Sequence, residues 1–171
     1  MIRMMRWPCL LLFLLAGCAS YSGRGLAPGQ SSAAEVEAVM GPAADKRPGP
    51  NGETVLWFPR MPYGDGSYAA RIGADGRLIA IEQRLTEENI AKIERGKTTA
   101  DQVLDLIGPP YRVDQFPRME REIWTYKMQV FPFPKALFVQ FSPDRVVREV
   151  YYMDDPEIPR LGAGHRTSFR R

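Results

Sequence analysis

Apolar residues fall along this chain in three kinds of run. The first, Leu10-Leu11-Leu12-Phe13-Leu14-Leu15, is short and unbroken. The second recurs at helical spacing: Val36, Val39 and Met40, then Val103, Leu106 and Ile107. Each of those sets lies on one face of a short helix. Ser32-Ala33-Ala34-Glu35 and Thr99-Ala100-Asp101-Gln102 precede them with the form of a capping box. Gly41-Pro42 and Gly108-Pro109 follow; the glycines suit a left-handed C-cap and the prolines forbid continuation. The third kind is rich in β-formers: Val55-Leu56-Trp57-Phe58, Ser67-Tyr68-Ala69-Ala70-Arg71-Ile72 and Leu78-Ile79-Ala80-Ile81. It returns as Glu122-Ile123-Trp124-Thr125-Tyr126, Ala136-Leu137-Phe138-Val139-Gln140-Phe141 and Val146-Val147-Arg148-Glu149-Val150-Tyr151. Asp75-Gly76 and Pro143-Asp144 mark hairpin turns before the last strand of each set.

These runs repeat. Gly29 over Gly96 sets a register of 67 residues, in which Val36 meets Val103, Met40 meets Ile107, Gly41-Pro42 meets Gly108-Pro109 and Trp57 meets Trp124. Arg60 and Met61 meet Lys127 and Met128 in the same frame. The expected fold is α+β: two tandem units, each a short helix (or helix pair) packed on a three-stranded antiparallel sheet. The expected divisions are 26–84 for the first unit, 85–153 for the second and 154–171 for a loose C-terminal tail. Between the units, Thr86 caps a short helix whose Glu87 and Glu88 suit the positive end of its dipole. It is either a linker or an extra helix of the second unit.

The first apolar run has a different meaning. Arg3 and Arg6 precede it, small and polar residues follow, and it is shorter than the roughly 20 residues a membrane-spanning helix needs. Leu15-Ala16-Gly17-Cys18 resembles the lipobox of bacterial lipoproteins. That resemblance implies a signal peptide over 1–17, a flexible tether over 18–25, and Cys18 as the lipidated first residue, carrying acyl chains such as palmitate. Cys9 leaves with the signal, so the mature chain has no disulfide and no cysteine metal ligand. Ala19 and Ser20, with no Asp just after the cysteine, imply sorting to the outer membrane.

Charge narrows the partners. The formal net charge of +3 falls to +1 once Arg3 and Arg6 are removed, with both signs mixed along the rest. A nucleic-acid binder needs a concentrated basic face, so no nucleic-acid partner is expected. Nor does an active site emerge. His165 is the only histidine and lies beside Arg166 in the expected tail. Gly23-Arg24-Gly25 and Gly64-Asp65-Gly66 lack the strand-to-helix setting of a phosphate loop, and Asp154-Asp155-Pro156 reads as turn chemistry. No catalytic residue, metal ligand or cofactor is expected. Binding has better candidates in the proline-aromatic segments Phe58-Pro59-Arg60-Met61-Pro62-Tyr63 and Val130-Phe131-Pro132-Phe133-Pro134. There Tyr63, Phe131 and Phe133, with Arg60 and Lys127, meet a partner or a lipid surface; the alternative is that the phenylalanines fold back over the core. Trp57 and Trp124 read as core residues.

Gly96, Thr98, Val103, Leu106, Ile107, Gly108, Pro109 and Trp124 together resemble the SmpA/OmlA (BamE-like) domain family of outer-membrane lipoproteins. The likeness covers the second unit well and the first more loosely; this chain carries two copies where that family's unit stands alone. It implies a lipid-anchored, non-enzymatic scaffold or accessory facing the periplasm. Its partners would be the outer membrane, held through the N-terminal lipid, and proteins, the β-barrel assembly complex among them. The alternative is an inhibitory or sensing module, since the fold also resembles the repeats of β-lactamase-inhibitory proteins.

Overall fold

The computed structural model describes residues 22–64, 66–130 and 133–157. Caps begin its helices. In α1 (Ala33–Met40), Ser32 Oγ accepts from the Glu35 N–H, and the Glu35 carboxylate accepts from the Ser32 N–H. Thr86 caps α2 (Glu87–Ile90), and Thr99 and Gln102 form the same reciprocal pair at the start of α3 (Ala100–Ile107). The closing glycines differ from the expected left-handed cap. Gly41 has φ 88° and ψ 177°, and Gly108 has φ 83° and ψ −172°, a region open in practice only to glycine.

Two antiparallel sheets of four strands follow the helices. The first runs in order β1 (Asp45–Pro48), β2 (Thr54–Pro59), β3 (Ser67–Ile72), β4 (Leu78–Gln83). The second runs β5 (Arg112–Phe116), β6 (Arg121–Val130), β7 (Phe133–Phe141), β8 (Val147–Asp154). The expected three-stranded sheets each gain an edge strand, β1 or β5. Asp-Lys-Arg-Pro and Arg-Val-Asp-Gln-Phe show no apolar alternation, because an edge strand needs to bury little and tolerates charge and proline.

Equivalent hydrogen bonds tie each sheet to the turn before its helix. Leu78 N–H donates to Ser31 C=O at 2.8 Å and Val147 N–H to Thr98 C=O at 2.9 Å; Gly29 and Gly96 N–H return the contact to Leu78 and Val147 C=O. Both third strands carry an irregularity at the same place, between Arg71 and Ile72 and between Gln140 and Phe141. The 67-residue register first fails at the opening hairpin of each sheet. Lys46 pairs with Leu56, ten residues on, whereas Val113 pairs with Trp124, eleven on. A one-residue shift turns every side chain to the other face of a strand. Trp124 therefore lies in the helix-facing core of its unit, while Trp57 alternates with Leu56 and Phe58 and points to the opposite face.

The cores follow. Val36 and Met40 cluster with Leu56, Phe58, Ala70, Ile72 and Leu78. The larger cluster joins Val103 and Ile107 to Trp124, Tyr126, Leu137, Val139 and Phe141, and includes Leu85, Ile90 and Ile93 from the connecting segment. The connecting helix is thus built into the second unit's core. Gly23, within the expected tether, is buried, and its C=O accepts from the Leu26 N–H. At the other end β8 reaches Asp154 and Asp155 is buried, so ordered structure continues past 153.

Candidate functional site

The loop after β2 reaches across to the second unit. Arg60 N–H donates to Gly66 C=O and Gly64 N–H to Arg60 C=O, which folds residues 60–64 into a compact turn. Arg60 Nη1 donates to the Met40 C=O at 3.0 Å, and its guanidinium stands 5.6 Å from the Phe58 ring centre. A cation on the last carbonyls of a helix is favourable, so Arg60 positions the loop rather than offering itself to a ligand. Met61 packs against the second unit's core, and its Sδ accepts the Lys127 N–H at 3.1 Å. Tyr63 at the turn is 94% exposed. Phe133, at the start of β7, is 64% exposed.

Tyr63 and Lys127 meet at one cleft of about 220 Å³, bounded by residues 62–64 and 127–129 and by Pro134 and Asp155. The Lys127 side chain does not serve it as a free cation. It is buried, with Nζ 2.6 Å from Asp155 Oδ1, 2.9 Å from Glu157 Oε2 and 5.3 Å from the Tyr111 ring centre. Burial opposes the ammonium charge, but the hydrogen bonds and charges of Asp155 and Glu157 outweigh it and raise its pKa above the ordinary value. Arg112 pairs with Glu157 at 2.9 Å and with Asp114 at 2.8 Å. Asp155, read from sequence as turn chemistry, accepts the Glu157 N–H at 3.0 Å as such a turn requires, and in addition anchors the chain end across the second sheet through Lys127. The sequence shows Lys127 between Tyr126 and Met128, an odd place for a charge, but its partner lies 28 residues away.

A second cavity, of about 470 Å³, opens on the face of the first sheet turned away from α1. Val55, Trp57 and Ala69 line it, and Asp105 of α3 forms part of its wall. Arg71 grips Glu53 through two 2.8 Å hydrogen bonds and reaches Glu82 at 3.4 Å; Arg84 pairs with Glu82 at 2.8 Å. Arg84 also donates to the Asp105 and Leu106 carbonyls at the end of α3, and Arg47 pairs with Asp105 at 2.9 Å. Arg71 holds the Glu53 carboxyl below the ordinary carboxylate range, and Arg84 and then Arg71 do so for Glu82. These guanidiniums are committed to carboxylates and carbonyls of this chain, so the arrangement joins the units instead of drawing a charged ligand.

Of the residues singled out in the sequence, the structure thus brings together Tyr63 and Lys127, sets Phe133 at the head of β7, and gives Arg60 a helix end. Cys18, Phe131 and His165 lie outside the described residues. Among the described residues, no three of His, Cys, Asp and Glu converge as a metal-holding group, and no helix is long and apolar enough to cross a membrane.

No protein-family model matches the sequence, and no curated protein matches it. Among solved structures the chain is similar to a DUF4309 family protein, YjgB, from Bacillus subtilis, at 18% identity and a TM-score of 0.31, over 77% of this chain and 83% of that one. A likeness of that size carries no argument about function.

Proposed function

We propose that this protein is a lipid-anchored, BamE-like outer-membrane lipoprotein, acting without catalysis as a scaffold or accessory in envelope assembly. On this reading Cys18 holds it to the outer membrane facing the periplasm, and a protein partner, the β-barrel assembly complex being the first to test, docks on the proline-aromatic rim. Each unit is then an SmpA/OmlA-like element, a short helix (with α2 a helix pair in the second) on its sheet, to which an edge strand has been added.

The observation that carries the reading is the rim. Tyr63 projects almost fully into solvent from a loop fixed by Arg60 and Met61, beside a cleft braced by the buried Lys127–Asp155 pair. Exposed aromatics on a rigid support lose little conformational entropy on binding, which is why such residues anchor interfaces. The test is affinity isolation of the acylated protein from crosslinked outer membranes, with Cys18→Ala and Tyr63→Ala as comparisons. Recovery of barrel-assembly components by the native protein, lost in both variants, is the expected result. Recovery of soluble periplasmic proteins alone, regardless of the lipid, would replace this reading with the inhibitory or sensing module, which the tandem pairing of sheets favours.

A further inference from the structure

We propose that the outer half of β6 is a strand-addition site, taking an extended segment of a partner polypeptide alongside residues 126–130; this rests on the protein-docking reading above. β6 pairs with β7 from Glu122 to Val130, but with β5 only from Arg121 to Thr125. Beyond Thr125, no strand among the described residues lies on its β5 side. β5 cannot extend to cover the gap, because Pro109 and Pro110 precede Tyr111 and supply no N–H.

Successive residues of a strand send their main-chain groups to opposite edges. Thr125 C=O accepts from Tyr111 N–H on the β5 side, and Lys127 N–H donates to Met61 on that same side. Lys127 C=O and both main-chain groups of Gln129 therefore face the open edge. Among the described residues, the loop bordering the edge does not complete the sheet. Pro62 has no donor, and the Gly64 N–H turns inward to Arg60. What Lys127 N–H finds is a thioether sulfur, a weak acceptor on a flexible side chain. The carbonyl of an arriving strand is a stronger acceptor for that N–H than the sulfur it replaces.

These groups choose the class of occupant. An edge of alternating N–H and C=O, repeating about every 6.8 Å, is complementary to another extended main chain and not to a helix, whose own groups are spent. Proteins commonly guard such edges with a charge. The charge available here, Lys127, is neutralised by Asp155 on the sheet's face. The cleft's 220 Å³ admits a narrow segment, and Tyr63, Pro134 and Met128 on its walls favour an apolar side chain at alternate positions.

The probes are random peptides displayed on phage, selected on the full acylated chain in detergent, then synthesised and measured by fluorescence anisotropy. Gln129→Pro removes the outward N–H without removing a rung toward β7, where the facing residue is Pro134. Selected peptides should lose affinity by about tenfold or more on Gln129→Pro, and little on Gln129→Ala. Methylating alternate peptide nitrogens should abolish binding in one parity and spare it in the other, on the wild-type protein; this arm also stands if Gln129→Pro fails to fold. Equal binding to Gln129→Pro, or indifference to methylation, overturns strand addition; if Tyr63→Ala still abolishes that binding, the docking rim survives it. Indifference to Gln129→Pro, to methylation and to Tyr63→Ala together overturns both. Conversion of a dimer to a monomer by Gln129→Pro would make the edge a self-association site and overturn the partner reading.

Discussion

Gly41 and Gly108 close their helices with nearly the same torsions but stand in different surroundings. A Cβ on Gly41 would meet open space; on Gly108 it would come within 2.5 Å of Trp57 Cε3 and 2.6 Å of Ser67 Oγ. Gly41→Ala should therefore cost only backbone strain, about 1–3 kcal/mol. Gly108→Ala adds a collision with side chains of the other unit, about 1–3 kcal/mol more. Thermal melts of the two variants measure the difference directly; equal losses would mean that Trp57 yields without cost. Both glycines are visible in the sequence as helix stops, since the following proline marks them. The neighbour that separates them is not, because Trp57 lies 51 positions before Gly108.

Strands inherit meaning from their partners. The Glu53–Arg71–Glu82–Arg84 ladder takes its members from the first hairpin, β3, β4 and the segment after β4, and its carboxylates sit below the ordinary value of 4.5. A carboxylate whose folded pKa lies below its unfolded one contributes stability above the unfolded value, and loses it as pH falls through the folded one. The melting temperature should hold from neutrality to about pH 4.5 and decline below it. In Arg71→Met the deficit should be greatest near neutral pH and shrink on acidification, as Glu53 protonates. Parallel curves for the two proteins would remove the ladder from the account. The central strands were legible by their β-branched and aromatic runs. β1 and β5 were not, because at a sheet edge neither face has to be apolar.

Across the whole molecule the two units share one contact surface. Trp57 leaves its own unit's core for the junction with Gly108, Arg84 binds the carbonyl end of α3, and Met61 enters the second core. Trp57→Ala should cost about 3–5 kcal/mol. It should also uncouple the units, so that Trp124 fluorescence and far-UV dichroism cease to report one coincident unfolding transition. A single transition at reduced temperature would show that the remaining contacts suffice for cooperativity.

What the amino-acid sequence determined alone is local or periodic. Capping boxes, proline stops, the hairpin at Asp75-Gly76 and the repeat of 67 residues can be read because their partners lie within a few positions, or because the same pattern occurs twice. Tertiary structure decided what depends on distance and face. One extra residue in the β5–β6 hairpin placed the two repeated tryptophans on opposite faces, Asp155 neutralised Lys127, and the short β5 left the outer half of β6 with no strand on its β5 side among the described residues. Each of these follows from register or from a contact between segments far apart in the chain. A linear pattern carries neither, since strand alternation gives the period of a face but not which face is covered.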